Sequence, residues 1–272
     1  MASSDIRTTF QSFRDDIDAY NDRRERLIKA SRDITNLSKK TIFLLHRLVL
    51  ENAESLDDRE VYLAAAKKGY EKLREVQNAY AGLRAELEAD MFWRYERQVS
   101  PGLQEYIEAL SFAWYLEHGS LIPFSEVQKS ISDSDGKAYF PLTVADYLLG
   151  LSDLTGELMR FAISGLSRKG GRKKAMEVCA FVRTCKADFD RFTPFIYELR
   201  KKQSVTTQSL EKIEDSWCFP LALVKRPDRL FLAVYAICVR SSEYDLPPEM
   251  LDDIVASISQ SSRSKRGDED EE

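Results

Sequence analysis

Proline, glycine, histidine and cysteine are scarce in this chain, and their absences limit what it can be. Its 272 residues include no proline before Pro101, and only Gly69 and Gly82 interrupt the same stretch. Because these two residue types fit helix interiors least well, their absence predicts long helices there. The two histidines and four cysteines show no CxxC or comparable zinc-ligand spacing, which argues against a structural zinc site and favours reduced thiols.

Long apolar runs are missing as well. The longest is Leu230–Val239, far short of the ~20 residues that cross a bilayer. The N-terminus lacks the basic-then-apolar pattern of a signal peptide. We therefore expect no membrane segment, and a cytoplasmic and nuclear location.

Charge of both signs is abundant, with a net value of −5, which predicts solvated helix faces. Net acidity does not exclude nucleic acid, because a local basic patch matters more than the total. Trp93, Arg94 and Arg97 combine aromatic and basic side chains within one short stretch. They are candidates for binding RNA by neutralising phosphates and stacking on bases. A packed aromatic turn with surface arginines is the alternative interpretation.

Hydrophobic spacing predicts helices along the whole chain and no strands. Apolar residues recur every three, four or seven positions from Phe10 to Leu37, as on one face of a helix. We expect about seven helices in one all-α domain over residues 1–256, followed by a disordered polar and acidic tail at 257–272. The predicted first helix ends near 54–58, the second runs from about 59 to 90, and the third starts at Ser100-Pro101 and ends around His118-Gly119. A short helix precedes a polar loop at 130–137, the next helix is capped by Thr143 and ended by Gly165, and another runs from about 175 to 202.

Four carboxylates form two short pairs. Glu105 and Glu108 are spaced i,i+3, and Asp153 and Glu157 are spaced i,i+4, so on helices each pair projects from one face. Two such pairs brought together make an all-oxygen site for a hard cation such as Mg²⁺. In that scheme two or three carboxylates hold the ion, and a remaining one orients or deprotonates the attacking water. The pattern predicts a metal-dependent hydrolase.

Periodicity alone favours a simpler interpretation, in which both pairs lie on solvated helix faces. Two details count against it without deciding: Phe112 shares the face of the first pair, and Gly150, one turn before Asp153, could leave room for a substrate backbone. No Glu-x-x-His pair, Walker loop or GxSxG elbow offers other chemistry. His46 lies within an apolar run and is predicted to be a core or interface histidine.

Three blocks of the sequence resemble the translin family, and within that family they resemble the subunit that partners translin. They read RRERLIKASRDITNLSKKTIFLLHR, GLQEYIEALSF and DYLLGLSDLTGELMR, and weaker similarity covers most of Phe10–Leu251. The resemblance implies a translin-like bundle of about seven helices, which assembles with translin into a closed hetero-octamer. The stretch from about 218 to 234 departs from the family pattern, as a genuine insertion or as a gene-model error.

The same resemblance implies an activity. This subunit would be the catalytic part of a Mg²⁺-dependent endoribonuclease, with Mn²⁺ as another usable ion. Its substrates would be single-stranded RNA, including passenger strands of small-RNA duplexes and pre-tRNA fragments. The catalytic residues implied are Glu105, Glu108 and Asp153, with Glu157 as a further metal ligand. The alternative is a non-catalytic subunit that binds single-stranded RNA or DNA and scaffolds translin.

Overall fold

Seven α-helices make up most of the part of the chain that the structure describes. The computed structural model describes residues 2–51, 57–165 and 171–218; the predicted tail and all but the first residue of the predicted insertion lie outside these ranges. Contacts divide the chain after Leu210, and Met1–Leu210 forms one compact unit. The helices are α1 (Ala2–Glu51), α2 (Asp58–Leu83), α3 (Met91–His118), α4 (Phe124–Ser130), α5 (Val144–Ser164), α6 (Gly171–Asp190) and α7 (Tyr197–Cys218), with a 3₁₀ turn at Arg84–Glu86.

The prediction of an all-α fold is confirmed. Within the described ranges no strand forms, and only an isolated bridge pairs Ser132 with Ala138. None of the helices in those ranges is long and apolar enough to span a bilayer.

Helices α1 and α3 lie side by side and run in the same direction. Near their starts, the rings of Tyr20 and Tyr95 stack with centroids 5.1 Å apart. Further along both helices, the Gly102 amide donates a hydrogen bond to Ser31 Oγ at 3.1 Å. Because residue numbers increase together on the two helices, side chains at matching levels meet along their whole shared length.

Helix α2 runs the opposite way and closes the core. Gln77 Nε2 donates to the Tyr106 hydroxyl at 3.0 Å, whereas Gly69, earlier in α2, packs near Ala113, later in α3. The fully buried ring of Tyr80 meets that of Tyr106 edge-on, at 5.6 Å between centroids. These contacts fix α3 as the central helix of the bundle, packed on both α1 and α2.

Gly150 lets α5 pack closely on α3. A Cβ at this position would lie 2.7 Å from Ile107 Cβ and 2.9 Å from the Gln104 carbonyl oxygen. Gly102 does the same between α3 and α1, where a Cβ would lie 2.9 Å from the Ser31 carbonyl oxygen. The interpretation of Gly150 as an opening for a substrate backbone is therefore wrong, because the neighbouring helix fills that space.

Replacing Gly150 with alanine should lower the free energy of unfolding by about 1–3 kcal/mol, the usual cost of overpacking a helix contact. Gly156→Ala is the matched control in the same helix, since a Cβ there meets nothing within 4 Å. It should stabilise the protein by about 0.5–1 kcal/mol. Urea denaturation measures both changes, and equal effects at the two positions would contradict the close packing of α5 on α3.

Pro101 lies inside α3, so the predicted helix start at Ser100-Pro101 is wrong. The helix begins ten residues earlier, at Met91. Pro101 is exposed, so water can solvate the carbonyl that loses its amide partner, which makes an interior proline tolerable. Ser100 does not cap the helix; its hydroxyl donates to Asp146 Oδ2 at 3.1 Å.

Other boundaries are partly as predicted. The helix expected over 175–202 is two helices, because the chain leaves the helix around Pro194, which disfavours helical geometry in the residue before it. Helix α2 ends at Leu83, short of the predicted residue 90. The cap at Thr143 is confirmed, since its Oγ1 accepts a hydrogen bond from the Asp146 amide at 3.0 Å, and Gly165 follows the end of α5.

Candidate carboxylate site

Two neighbouring helices carry the four predicted acidic residues. Helix α3 presents Glu105 and Glu108, and α5 presents Asp153 and Glu157. The close packing at Gly150 brings the two pairs to one region. Burial, and then the charges of the other three carboxylates, raise the pKa of Glu108 well above its ordinary value, so Glu108 interacts electrostatically with each of the other three. These four residues are called the carboxylate cluster below.

Glu108 is the buried member of the carboxylate cluster, with 9% of its surface exposed. Among the residues that the structure describes, none donates a hydrogen bond to its carboxylate or forms an ion pair with it. Burying an ionised carboxylate without a partner costs several kcal/mol. The negative form of Glu108 therefore needs a cation that these residues do not supply by direct contact.

Two lysines from other helices contact Glu105 and Asp153, the more exposed carboxylates of the cluster. Lys202 of α7 donates a hydrogen bond to Asp153 Oδ2, and Lys39 Nζ of α1 lies 3.4 Å from Glu105 Oε1. Burial raises the pKa of Glu105, and the nearby Lys39 charge offsets this only in part. The lysines neutralise the rim of the carboxylate cluster, while Glu108 lies below them.

His46 holds the fourth member in place. Its Nε2 donates a hydrogen bond to Glu157 Oε2 at 2.6 Å, and the two side chains are only 10% and 12% exposed. The imidazole packs on Phe112, with ring centroids 4.7 Å apart, and Arg160 Nη1 lies 3.4 Å from the same carboxylate. Although burial pushes the pKa of Glu157 upward, the hydrogen bond from His46 and the nearby charges lower it overall.

The carboxylate cluster has the donor chemistry of a hard-cation site without the geometry of an assembled one. Across 2–51, 57–165 and 171–218, no three Asp, Glu, His or Cys side chains are arranged as ligands of one ion. Two of the four carboxylates point their oxygens at lysine ammonium groups instead. The residues nevertheless fit Mg²⁺ or Mn²⁺, because four carboxylates, one of them buried without a partner, offer the oxygen ligands that these ions prefer.

The three residues predicted to bind RNA lie near the start of α3. The Arg94 guanidinium sits 4.8 Å from the centroid of the Tyr20 ring, and Trp93 is 57% exposed. Arg97 lines an open groove between α1 and α3. About two turns of α3, or roughly 12 Å, separate Arg97 from Glu105, so none of the three reaches the carboxylate cluster. Their role in RNA binding stays a prediction.

Sequence reasoning missed four residues that contact the carboxylate cluster, namely Lys39, His46, Arg160 and Lys202. His46 is buried, as predicted, but its bond to Glu157 was not foreseen. Lys39 and His46 are seven residues apart on α1 and therefore share a face, which is a signal that could have linked them. Lys202 carried no such signal, because α7 reaches Asp153 only through tertiary packing.

The sequence of this chain is similar to those of known proteins of one family. The sequence profile of the Translin family matches residues 22–222. Translin-associated protein X from Mus musculus is 36% identical over 276 residues, covering 93% of this chain and 84% of that protein. The Translin-associated protein X homolog of Schizosaccharomyces pombe is 30% identical over 210 residues, covering 75% of this chain and 84% of that protein. Translin from Homo sapiens is 23% identical over 216 residues, covering 79% and 91% respectively.

A solved structure shares the arrangement of helices. The crystal structure of apo-NeC3PO superposes with a TM-score of 0.56 and 17% sequence identity, covering 86% of this chain and 97% of that one. At this level of identity the likeness concerns the fold alone, and it supports the translin-like helical bundle.

Proposed function

Because this chain belongs to the translin family, we propose that it is the catalytic subunit of a Mg²⁺-dependent endoribonuclease that cuts single-stranded RNA in complex with translin. The observation that carries the proposal is Glu108, which is buried beside three other carboxylates with no direct partner among the described residues. A helical scaffold has no need of such a group. A divalent cation that offsets the negative charge makes burial of the ionised form favourable, and Mn²⁺ would fit as well as Mg²⁺.

The residues of the carboxylate cluster have different proposed roles. A divalent cation held there supplies positive charge that stabilises the phosphoryl oxygens in the transition state. Glu105, Glu108 and Asp153 are the proposed catalytic and metal-ligating residues, and Glu157 is the further ligand. His46 orients Glu157 through the 2.6 Å hydrogen bond, as supporting residues commonly do around metal ligands.

Lys39 and Lys202 compete with a cation for the same oxygens. Each ammonium group lies on one carboxylate of the cluster, Lys39 on Glu105 and Lys202 on Asp153. If Glu105 and Asp153 held a cation, the flexible side chains of Lys39 and Lys202 would be able to turn their ammonium groups away from these oxygens. The two ammonium groups would then lie where they can neutralise a phosphate of the substrate, as lysines do along nucleic-acid backbones.

Similarity to proteins named Translin-associated protein X supports translin as the partner, and we propose a closed hetero-octamer. The proposed substrates are passenger-strand fragments of small-RNA duplexes and pre-tRNA fragments, handled in the cytoplasm and the nucleus. Single-stranded DNA is a further proposed ligand.

Substitution of three cluster members tests the enzyme. In complexes reconstituted with translin, Glu105→Gln, Glu108→Gln and Asp153→Asn should each slow Mg²⁺-dependent cleavage of single-stranded RNA about 100-fold or more. Assembly, measured by size-exclusion chromatography with light scattering, should not change. Glu71→Gln is the control, because this exposed carboxylate lies on α2, away from the cluster; it should cleave at the wild-type rate.

The second candidate is a non-catalytic subunit that binds single-stranded RNA or DNA and scaffolds translin. The pairing of Glu105 and Asp153 with lysines favours it, because two of the four charges are then satisfied without a metal. If all three cluster variants cleave RNA at the wild-type rate, the metal site is ruled out and the non-catalytic function remains. If cleavage depends on Mg²⁺ and is lost in the variants, the non-catalytic function is excluded.

A further inference from the structure

A groove lies between α1 and α3, N-terminal on both helices to the residues of the carboxylate cluster. Its volume is about 530 Å³, and most of its lining residues have polar or basic side chains, with Ile28 and Pro101 as the apolar ones. Its floor is the close contact of Ser31 with Gly102, where the two helices nearly touch. The lining residues that matter for its chemistry are Arg24, Arg32, Asn36, Arg97 and Gln98.

Three arginines give the groove a positive charge that its neighbours leave mostly unneutralised. Within the described part of the chain, neither Arg32 nor Arg97 forms an ion pair. Arg24 lies 3.3 Å from Glu25, but these side chains are 42% and 72% exposed, and such surface pairs contribute little. Planar guanidinium groups match phosphates in charge and in hydrogen-bonding geometry. The charged ends of these arginines therefore make the groove complementary to a polyanion.

The direction of α1 connects the groove with the carboxylate cluster. Arg32, Lys39 and His46 are spaced by seven residues and lie on one face of α1. Lys39 contacts Glu105, and His46 contacts Glu157. The helical rise between Arg32 and Lys39 is about 10 Å. A strand that lies in the groove and follows this face of α1 would next meet Lys39 and Glu105, on the more exposed side of the cluster.

Phe43 stands on this same face, one turn beyond Lys39. Its side chain is 68% exposed, so the ring is accessible to a ligand. An exposed aromatic ring beside a row of cations is the common arrangement for holding single strands, because unpaired bases stack on the ring. A base pair within a duplex has no free face to offer it.

We propose that the α1–α3 groove binds the phosphate backbone of single-stranded RNA as it enters the carboxylate cluster, with Arg24 and Arg32 on phosphates and Phe43 under a base. The identity of the substrate rests on the proposed function, but binding is measured independently of cleavage. The groove extends the predicted RNA contact from the start of α3 to a face of α1.

Crosslinking tests the groove without turnover. The full chain, reconstituted with translin in EDTA, is titrated with oligouridine containing 4-thiouridine, and the fraction of this chain that crosslinks gives its apparent Kd. Arg24→Gln/Arg32→Gln should weaken binding roughly tenfold and reduce the slope of log K against log salt by about 1.4, or ~0.7 for each lost phosphate contact. Phe43→Ala should weaken binding roughly 5- to 150-fold, with an unchanged slope and unchanged binding of duplex RNA.

Matched controls and outcomes separate this inference from the proposed function. Lys68→Gln/Arg74→Gln removes two exposed charges from α2, and Phe195→Ala removes another exposed ring; both should bind RNA like wild type. Wild-type crosslinking by the α1 variants overturns the groove even if Glu108→Gln abolishes cleavage. Weaker crosslinking without any Mg²⁺-dependent cleavage upholds the groove and overturns the enzyme. Loss of assembly with translin in the α1 variants identifies the face as a protein interface and also overturns the groove.

Discussion

Replacing Glu108 with glutamine is expected to raise the melting temperature of the metal-free protein by roughly 2–8 °C and to abolish its stabilisation by Mg²⁺. The amide keeps the shape of the side chain and removes a charge whose burial costs about 1–3 kcal/mol. Without that carboxylate, the cluster loses its one member that lacks a direct partner. Differential scanning fluorimetry in EDTA and in MgCl₂ measures both effects.

The increase in the stability of the metal-free protein on Glu108→Gln should become larger as the pH rises. Burial raises the pKa of Glu108 above its ordinary 4.5, so the folded protein holds this proton more tightly than the unfolded chain does. Stability therefore falls as the pH rises from the unfolded pKa through the folded one, and the variant escapes this loss. Glu71→Gln, on the exposed face of α2, should show neither effect. A variant that melts below wild type at every pH, yet still responds to Mg²⁺, would contradict this account of the buried carboxylate.

Replacing His46 with leucine should lower the free energy of unfolding by about 2–4 kcal/mol. The substitution keeps an apolar side chain next to Phe112 but removes the donor that lies 2.6 Å from Glu157. A buried carboxylate that loses its hydrogen-bonded partner retains most of its desolvation cost. Urea denaturation of the metal-free chain measures the loss.

A double-mutant cycle shows whether this loss of stability comes from the interaction between His46 and Glu157. Adding Glu157→Gln to His46→Leu should recover much of the lost stability, because no buried charge is then left without its donor. Arg160→Gln is the control, since Arg160 is 43% exposed and lies 3.4 Å from the same carboxylate; it should cost less than about 1 kcal/mol. Strictly additive single effects would show that His46 stabilises the fold by packing alone.

The helices and the acidic residues were predictable because both leave local signals. Proline-free apolar periodicity indicated α1, and Thr143 with Asp146 marked the start of α5. The i,i+3 and i,i+4 spacings placed each carboxylate pair on one helix face. Periodicity could not decide whether those faces meet solvent or protein, because it describes one helix at a time. The packing at Gly150 decides it, and it leaves Glu108 buried.

The remaining features depend on tertiary contacts. Pro101 carried the sequence signature of a helix start, yet its exposed position in α3 lets the helix pass through it. Lys202 lies 49 positions from Asp153, and no local pattern links them. The groove and the carboxylate cluster follow one another along the same pair of helices because α1 and α3 run parallel. That direction follows from how the helices pack, and the spacing of residues along either helix does not reveal it.

Anomalous scattering from Mn²⁺, in crystals of the complex with translin, locates any divalent cation that the chain holds. We expect anomalous density among Glu105, Glu108, Asp153 and Glu157, with the Lys202 ammonium moved off Asp153. Density found only elsewhere, with the contact between Lys202 and Asp153 intact, would contradict the carboxylate cluster as the metal centre.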